Sequence, residues 1–377
     1  MGRKADMEHG PVRWGIIGPG LIARAFADGL ARTSTGTLVA LGARSPDRPQ
    51  YAAEFPGIPV MSIAALLGSP DVEAVYIATP HPDHAIWAIR AAAAGKHVLC
   101  EKPMGISAFE AEVMFAAARA ADVFMGEAFM YRFHPQTMAL RDLIAEGVIG
   151  EVRLVRSSFG YDASRDVGHD HRTYANALAG GGILDVGCYP VSMARLVAGV
   201  AQGTTFADPV SVKGAATLGP TGVDEWASAV LHFAGGLIAE VSCSVSLLQD
   251  NVLRIYGSAG RIEVADFWFA SGRQGGVGRI EIIAPDGVKR VVEVAEPRWL
   301  YSFEAEAASR AIRAGRRQFD PPGLGWDDTL GNMAVLDAWR REAGLAYVIE
   351  TEERRARLLD EVGMVGRAAA SLDNRSG

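Results

Sequence analysis

From residue 12 to about residue 125 the chain alternates short apolar stretches with Ala-rich segments of helical period. The short stretches are Arg13–Ile17, Thr37–Ala43, Ala74–Ala78, His97–Cys100 and Val123–Met125. They are apolar and partly β-branched, as strands covered on both faces tend to be. Between them the pattern predicts helices over Leu21–Ala31, Pro49–Glu54, Ile63–Leu67, His84–Ala94 and Ala108–Ala120. Strand–helix alternation of this kind predicts a doubly wound parallel sheet with right-handed crossovers.

Near Gly126 the pattern changes. Strands lengthen and alternate with period two: Glu151–Gly160, Val210–Leu218, Glu225–Phe233, Leu237–Leu247, Asn251–Tyr256, Arg279–Ile283 and Lys289–Val294. This period predicts a mostly antiparallel sheet with one face covered and one free. Helices Pro135–Glu146, Pro190–Ala198 and Tyr301–Ala314 are expected to cover one face. The other face, with Val230, Val241 and Leu253, is expected to meet another subunit as a homodimer or homotetramer. Residues 327–345 read as a last helix, and the charged stretch from Glu352 as a solvated helix with a frayed end.

These patterns divide the chain into residues 1–126 (with 1–11 disordered), 127–350 and a charged extension, 351–377. The fold class is α/β plus α+β. A doubly wound sheet comes first, then an open, mostly antiparallel sheet with helices on one face. The last helix of the second part can pack back on the first.

Composition narrows the function classes. The 377 residues are 49% hydrophobic and carry a net charge of −7, which does not suit a basic nucleic-acid face. Three cysteines (100, 188 and 243) are widely spaced and suggest neither a disulfide framework nor a zinc ribbon. The stretch Met1–Pro11 is polar and lacks the apolar core of a secretory signal. No uninterrupted apolar run approaches the roughly 18 residues of a membrane span. The expected location is cytoplasmic.

Gly18-Pro19-Gly20-Leu21-Ile22-Ala23 follows the first strand and opens the first helix. That is the setting in which a G-x-G-x-x-A turn binds a dinucleotide, and it makes the first domain a Rossmann fold. Gly18 makes the turn and Gly20 admits the pyrophosphate. Ala23 allows close helix packing, and the amides of Leu21 and Ile22 face the phosphate. The second strand ends Ala43-Arg44-Ser45-Pro46-Asp47-Arg48, with no acid at its tip. An acid there accepts from a ribose 2′-hydroxyl, whereas a 2′-phosphate needs a cation. Arg44 and Ser45 therefore favour NADP(H) over NAD(H), unless Arg44 is simply a solvated loop cation.

Four segments in order carry a resemblance to a known family. They are the glycine turn, Ala78-Thr79-Pro80-His81-Pro82-Asp83-His84, Glu101-Lys102-Pro103, and Gly180-Gly181-Gly182-Ile183-Leu184-Asp185-Val186-Gly187-Cys188-Tyr189-Pro190. Together they resemble the Gfo/Idh/MocA oxidoreductases over about residues 12–350. Tyr189, where many members carry His, resembles the branch with glucose–fructose oxidoreductase, D-xylose dehydrogenase and dimeric dihydrodiol dehydrogenase. So does Gly126–Pro135.

The resemblance implies hydride transfer between a nicotinamide and a cyclic sugar, polyol or diol. An aldose 1-dehydrogenase leads, with a trans-dihydrodiol dehydrogenase, a keto-sugar reductase or a bound-cofactor sugar oxidoreductase as alternatives. It implies Lys102, Tyr189 and Asp185 as catalytic residues. Tyr189 would exchange the proton, Lys102 would lower its pKa and bond the substrate oxygen, and Asp185 would orient Lys102 or bind a neighbouring hydroxyl; the roles of Lys102 and Tyr189 can be exchanged. Read from their neighbours alone, Tyr189 can also be a helix-entry aromatic packed into the core, and Asp185 a helix cap. Thr79, Pro80, His84, Glu101 and Lys102 would line the cofactor, although Glu101 can equally pair with a nearby cation and His84 can equally cap the first turn of its helix. Arg132, Phe133, Tyr161 and Arg172 would wall the sugar pocket. His97 reads as an interior histidine, and Trp268 and Trp299 as pocket or interface. His169-Asp170-His171 lacks a further ligand cluster, so no metal is expected. A non-catalytic dinucleotide sensor is a reading of another class, and the Lys102–Asp185–Tyr189 set argues against it.

Overall fold

This computed structural model describes residues 10–373 and, for side chains, residues 10–366. The disorder expected for residues 1–11 therefore falls outside the described residues except at Gly10 and Pro11. Both of their carbonyls accept from Arg313 at 2.8 Å.

The first sheet is built from β1 (Val12–Ile17), β2 (Gly36–Ala43), β3 (Val60–Ser62), β4 (Ala74–Ile77), β5 (His97–Glu101) and β6 (Met125–Ala128). Its order is β3-β2-β1-β4-β5-β6, and every pair is parallel. The short β3 has no strong apolar signal and was not expected. The linking helices are α1 (Leu21–Leu30), α2 (Gln50–Glu54), α3 (Ile63–Gly68), α4 (His84–Ala93) and α5 (Ala108–Ala121). At the start of α5, Ser107 Oγ accepts from the Glu110 amide at 3.4 Å. The Glu110 carboxylate in turn accepts from Ile106 N at 3.1 Å. This reciprocal arrangement satisfies amides that a helix start otherwise leaves unpaired.

The second half contains α6 (Pro135–Ala145), β7 (Val152–Gly160), α7 (Cys188–Ala201), β8 (Pro209–Leu218), β9 (Asp224–Phe233) and β10 (Ile238–Ser244). It continues with β11 (Val252–Gly257), β12 (Gly260–Ala265), β13 (Gly276–Ile283), β14 (Lys289–Glu296), α8 (Leu300–Arg313), α9 (Trp326–Glu342) and α10 (Glu352–Asp373). Eight strands form one sheet in the order β14-β13-β12-β11-β7-β10-β9-β8, in which only β7 and β10 run parallel. The helical stretch Asn176–Ala201 is long and apolar enough to cross a membrane, but 94% of its apolar window is buried. It is the central core helix of this half.

The structure corrects three expectations. First, α8 does not cover the second sheet. It lies on the first sheet, where Ala305, Ala308 and Ile312 join Trp14, Phe26 and Tyr76 in a buried cluster. The indole of Trp14 donates to Ser309 Oγ at 3.0 Å. Second, the open face of the second sheet is not the face of Val241 and Leu253. Both are buried, while Val230 is 44% exposed beside Glu240, its partner across the β9–β10 pair. Val230 and Val241 sit at positions of opposite parity, so one pleat sends them to opposite faces. Third, the stretch after Glu352 is not a free helix: α10 docks on α4 and α5 and buries Leu358 and Val365.

Candidate active site

The glycine turn is shaped as its sequence requires. Gly18 has φ +88°, and a Cβ there would lie 2.9 Å from the Ala78 carbonyl oxygen. Around Gly20 there is open space. The first turn of α1 carries no acid, and no side chain caps it. The amides of Leu21 and Ile22 therefore stand at an uncapped helix start facing that space, as an anion requires. A cleft of about 330 Å³ runs past Gly18 and Gly20 to Arg44, Ser45, Arg48, Tyr51, Thr79 and Pro80. The buried Thr79 hydroxyl has no partner among the described residues. A glycine cradle, bare helix amides, an unpartnered hydroxyl and two arginines fit a nicotinamide dinucleotide. Arg44 itself is 70% exposed and ion-paired with Asp83. Arg48, in the same cleft, was not singled out from the sequence, although it lies four residues after Arg44.

The catalytic segment is held by its glycines. Gly181 has φ +103°, and a Cβ there would fall 2.1 Å from an oxygen of Asp224. Asp224, at the start of β9, accepts from the Ile183 amide at 2.6 Å and so caps the helical stretch that carries Asp185 and Tyr189. Burial pushes its carboxyl up to about 7 against the pull of the Ile183 amide. A turn of π-helical winding, Ile183–Gly187, precedes α7 and carries Asp185.

Lys102, at the end of β5, reaches this turn. Its ammonium donates to the Asp185 carbonyl at 2.5 Å and to Oδ1 at 3.2 Å. Tyr161 donates to Asp185 Oδ2 at 2.5 Å, and Arg172 stands 3.5 Å from Oδ1. Burial works against the charge of Asp185, but Lys102, Arg172, His81 and the Tyr161 hydroxyl outweigh it. Its carboxyl is held well below the usual range. For Lys102 burial pulls the pKa down, Asp185 with Cys188 and Glu101 together more than restore it, and the ammonium is favoured. Lys102, Asp185, Tyr161 and Arg172 thus form one cluster.

Tyr189 sits in an aromatic box. Its ring lies 5.1–5.7 Å from those of Phe129, Phe159, Tyr131 and Trp268, and its hydroxyl donates to Met130 Sδ at 3.4 Å. The Lys102 ammonium stands 5.3 Å from the ring centroid. Burial pushes the phenol well above its ordinary value, and no cation among its influences lowers it. In this setting burial favours the neutral phenol.

The remaining expected residues separate. Glu101 accepts a hydrogen bond from Tyr76, and burial raises its carboxyl. His84 is fully buried, with its two ring nitrogens 2.9 Å from the Pro103 and Thr79 carbonyls. It braces the Lys102 turn against the Thr79 turn. Arg132 is 1% exposed and donates to Asp328 at 2.7 Å and Ser192 at 3.2 Å, inside the protein. Phe133 packs on Phe319 at 4.7 Å. Neither joins the Lys102 cluster, because a buried guanidinium goes where a carboxylate can meet it. Trp268 belongs to the box around Tyr189, whereas Trp299 stacks under Arg32. His97 accepts from Phe124 N at 3.0 Å, an interior role. His171 bonds Thr173 at 3.1 Å in an exposed turn.

Three residues at the site were not expected. His81 bonds the Ala179 carbonyl at 3.0 Å, with burial lowering its pKa to about 3. Asp224 is the second. The third is Glu304, fully buried with both oxygens unpartnered among the described residues, whose carboxyl burial and then Glu101 push well up. The sequence signal for Glu304 was an acid inside the apolar stripe Leu300, Tyr301, Ala305, Ala308.

Comparison with known proteins agrees with this arrangement. The pattern of the oxidoreductase family with an NAD-binding Rossmann fold matches residues 12–129, and that of the GFO/IDH/MocA C-terminal domain matches residues 137–263. The chain is 37% identical to trans-1,2-dihydrobenzene-1,2-diol dehydrogenase of Mus musculus over 261 residues, 68% of this chain and 75% of that one. The chain belongs to the Gfo/Idh/MocA oxidoreductase family. Among solved structures, a 3-ketoreductase from Actinomadura kijaniata in complex with NADP and TDP-benzene superposes with a TM-score of 0.77 at 29% identity. It covers 88% of this chain and 98% of its own. An aldose-aldose oxidoreductase from Caulobacter crescentus, complexed with glycerol, gives 0.76 at 27% identity, with 89% and 98% covered. The protein is an oxidoreductase with an NAD(P)-binding domain, and its relatives act on sugars and diols.

Proposed function

We propose that this oxidoreductase uses NADP(H) to transfer hydride to or from a carbon of a cyclic sugar, polyol or diol. The observation that carries the reading is the Lys102 ammonium. Two of its N–H groups are bonded to Asp185, and the third is free for a substrate oxygen. When bound, the nicotinamide supplies the hydride acceptor or donor. The chain supplies the proton: Lys102 polarises the substrate oxygen and gives it a proton in reduction, or receives one in oxidation. Asp185 fixes the direction of that ammonium. Tyr161 and Arg172 fix Asp185 and present polar edges to neighbouring hydroxyls. Tyr189 supplies an apolar wall beside Lys102 that excludes water and strengthens the Lys102–Asp185 attraction.

Because Asp185 favours the protonated lysine, the site is best equipped to donate to a carbonyl, which supports reduction of a keto-sugar as a second reading of the same site. Arg44, Ser45 and Arg48 support the 2′-phosphorylated cofactor. The open face of the second sheet, with its groove of about 580 Å³, supports association of two copies through that face. The test mixes purified protein with NADP⁺ or NAD⁺ and a panel of aldoses, inositols and dihydrodiols. The reduced cofactors are run with the corresponding carbonyl compounds, and reduced-nicotinamide absorbance is followed. Faster turnover with the phosphorylated cofactor is expected; turnover confined to NAD(H), or none with any pair, overturns the reading.

A further inference from the structure

A second cleft, of about 430 Å³, opens where α4 meets the start of α10. Arg44, Asp83 and Trp87 wall it on one side, and Ile349, Glu353 and Arg357 on the other. Arg44 also lines the nucleotide cleft, so the two clefts share a wall at the residue assigned to the 2′-phosphate. The C-terminal arm is tied to the border of the cofactor site. Arg354 donates to the Pro82 carbonyl at 2.6 Å and to Glu110 at 2.7 Å, and Arg90 grips Glu361 at 2.6 Å. Pro82 lies in the turn that follows Pro80 of the nucleotide cleft. The matched family regions end at residue 263, so this arm lies outside them.

The charges on the cleft are unequal in their commitments. Arg44 is held by Asp83, Arg90 by Glu361 and Arg354 by Glu110. Arg357 is exposed and forms no ion pair among the described residues. Glu353, one turn earlier on α10, also has none and opposes it. Arg357 is thus the cleft cation left without an ion-pair partner among the described residues, and Glu353 offsets part of its charge.

We propose that the C-terminal arm completes the adenosine end of the cofactor site, with Arg357 joining Arg44 and Arg48 around the 2′-phosphate of NADP(H). The inference rests on the NADP(H) reading above. A phosphate dianion offers oxygens to more than one guanidinium. Arg44 must also give up Asp83 to take the phosphate, a loss that a further cation offsets.

The test is calorimetric titration of the full-length protein, separately with NADP(H) and NAD(H), for wild type, Arg357→Ala, Glu353→Gln and Arg44→Ala. Arg357→Ala is expected to weaken NADP(H) binding about three- to fivefold, the size of one exposed ion pair. NAD(H) binding should move far less. Glu353→Gln is expected to tighten NADP(H) about twofold by removing a like charge. If Arg44→Ala weakens NADP(H) selectively while Arg357→Ala changes both cofactors equally or neither, the arm has no part in the site. If Arg44→Ala shows no selectivity either, the NADP(H) reading itself fails, and this inference with it.

Discussion

Lys102 gives two hydrogen bonds to a single residue, Asp185: one to its carbonyl at 2.5 Å and one to its carboxylate at 3.2 Å. The lysine ends a strand of the parallel sheet, and the aspartate sits in the turn that starts the core helix of the second half. The pair therefore joins the cofactor domain to the substrate side across 83 residues of sequence.

Replacing Lys102 by Met keeps the length of the side chain and removes the proton and the charge. Turnover should fall at least about a hundredfold, the scale of general acid–base catalysis. Cofactor affinity should change less than about threefold, since Lys102 does not line the glycine cleft. Steady-state kcat beside a cofactor titration checks this; retained turnover removes Lys102 from the chemistry.

Asp185→Asn leaves Lys102 buried without its counter-charge. Burial then prevails and the ammonium loses its proton more easily, by at least about one pH unit for a close charge pair. In the reducing direction the reaction needs the ammonium, so the alkaline limb of kcat against pH should move to lower pH. A limb that stays in place separates that titration from Lys102.

Asp224 holds its proton more tightly folded than unfolded, with a folded value of about 7. The folded state therefore binds more protons than the unfolded state between the ordinary carboxylate pKa of about 3.9 and that value. Stability must fall as pH rises through this window, and Asp224→Asn removes that share of the fall. Tm measured from pH 4 to pH 8 should drop less steeply for the variant. Parallel curves would show that Asp224 is charged throughout.

Val230 is 44% exposed on the open sheet face beside Glu240. If two copies meet there, Val230→Glu places like charges in a desolvated contact and should dissociate them at micromolar concentration. Light scattering on the eluting protein reads the mass directly. An unchanged assembly places the contact elsewhere.

Much of the fold was legible in local pattern. Gly18 and Gly20 stood in a strand–turn–helix context, and both strand periods were present, because periodicity records which faces are buried. The Lys102–Asp185 pairing was also legible, since two short motifs carried it. Tyr161 and Arg172 were expected near the substrate and lie on Asp185. Arg132 and Phe133 come from one motif with the same local signals, yet they point into Asp328 and Phe319. Nothing within a few residues of Arg132 distinguishes a pocket cation from an interior one, because its partner lies 196 residues away.

The sequence by itself determined most of the order of elements, the nucleotide turn, the absence of an acid at the tip of β2 and the two motifs that carry Lys102 and Asp185. These depend on backbone conformation and side-chain type within a few positions. Only the tertiary structure decided that α8 covers the first sheet, that α10 docks beside Arg44, and that Tyr189 sits in an aromatic box. Each of those depends on which distant surfaces exclude water from one another, and desolvation belongs to the assembled fold and to no single segment.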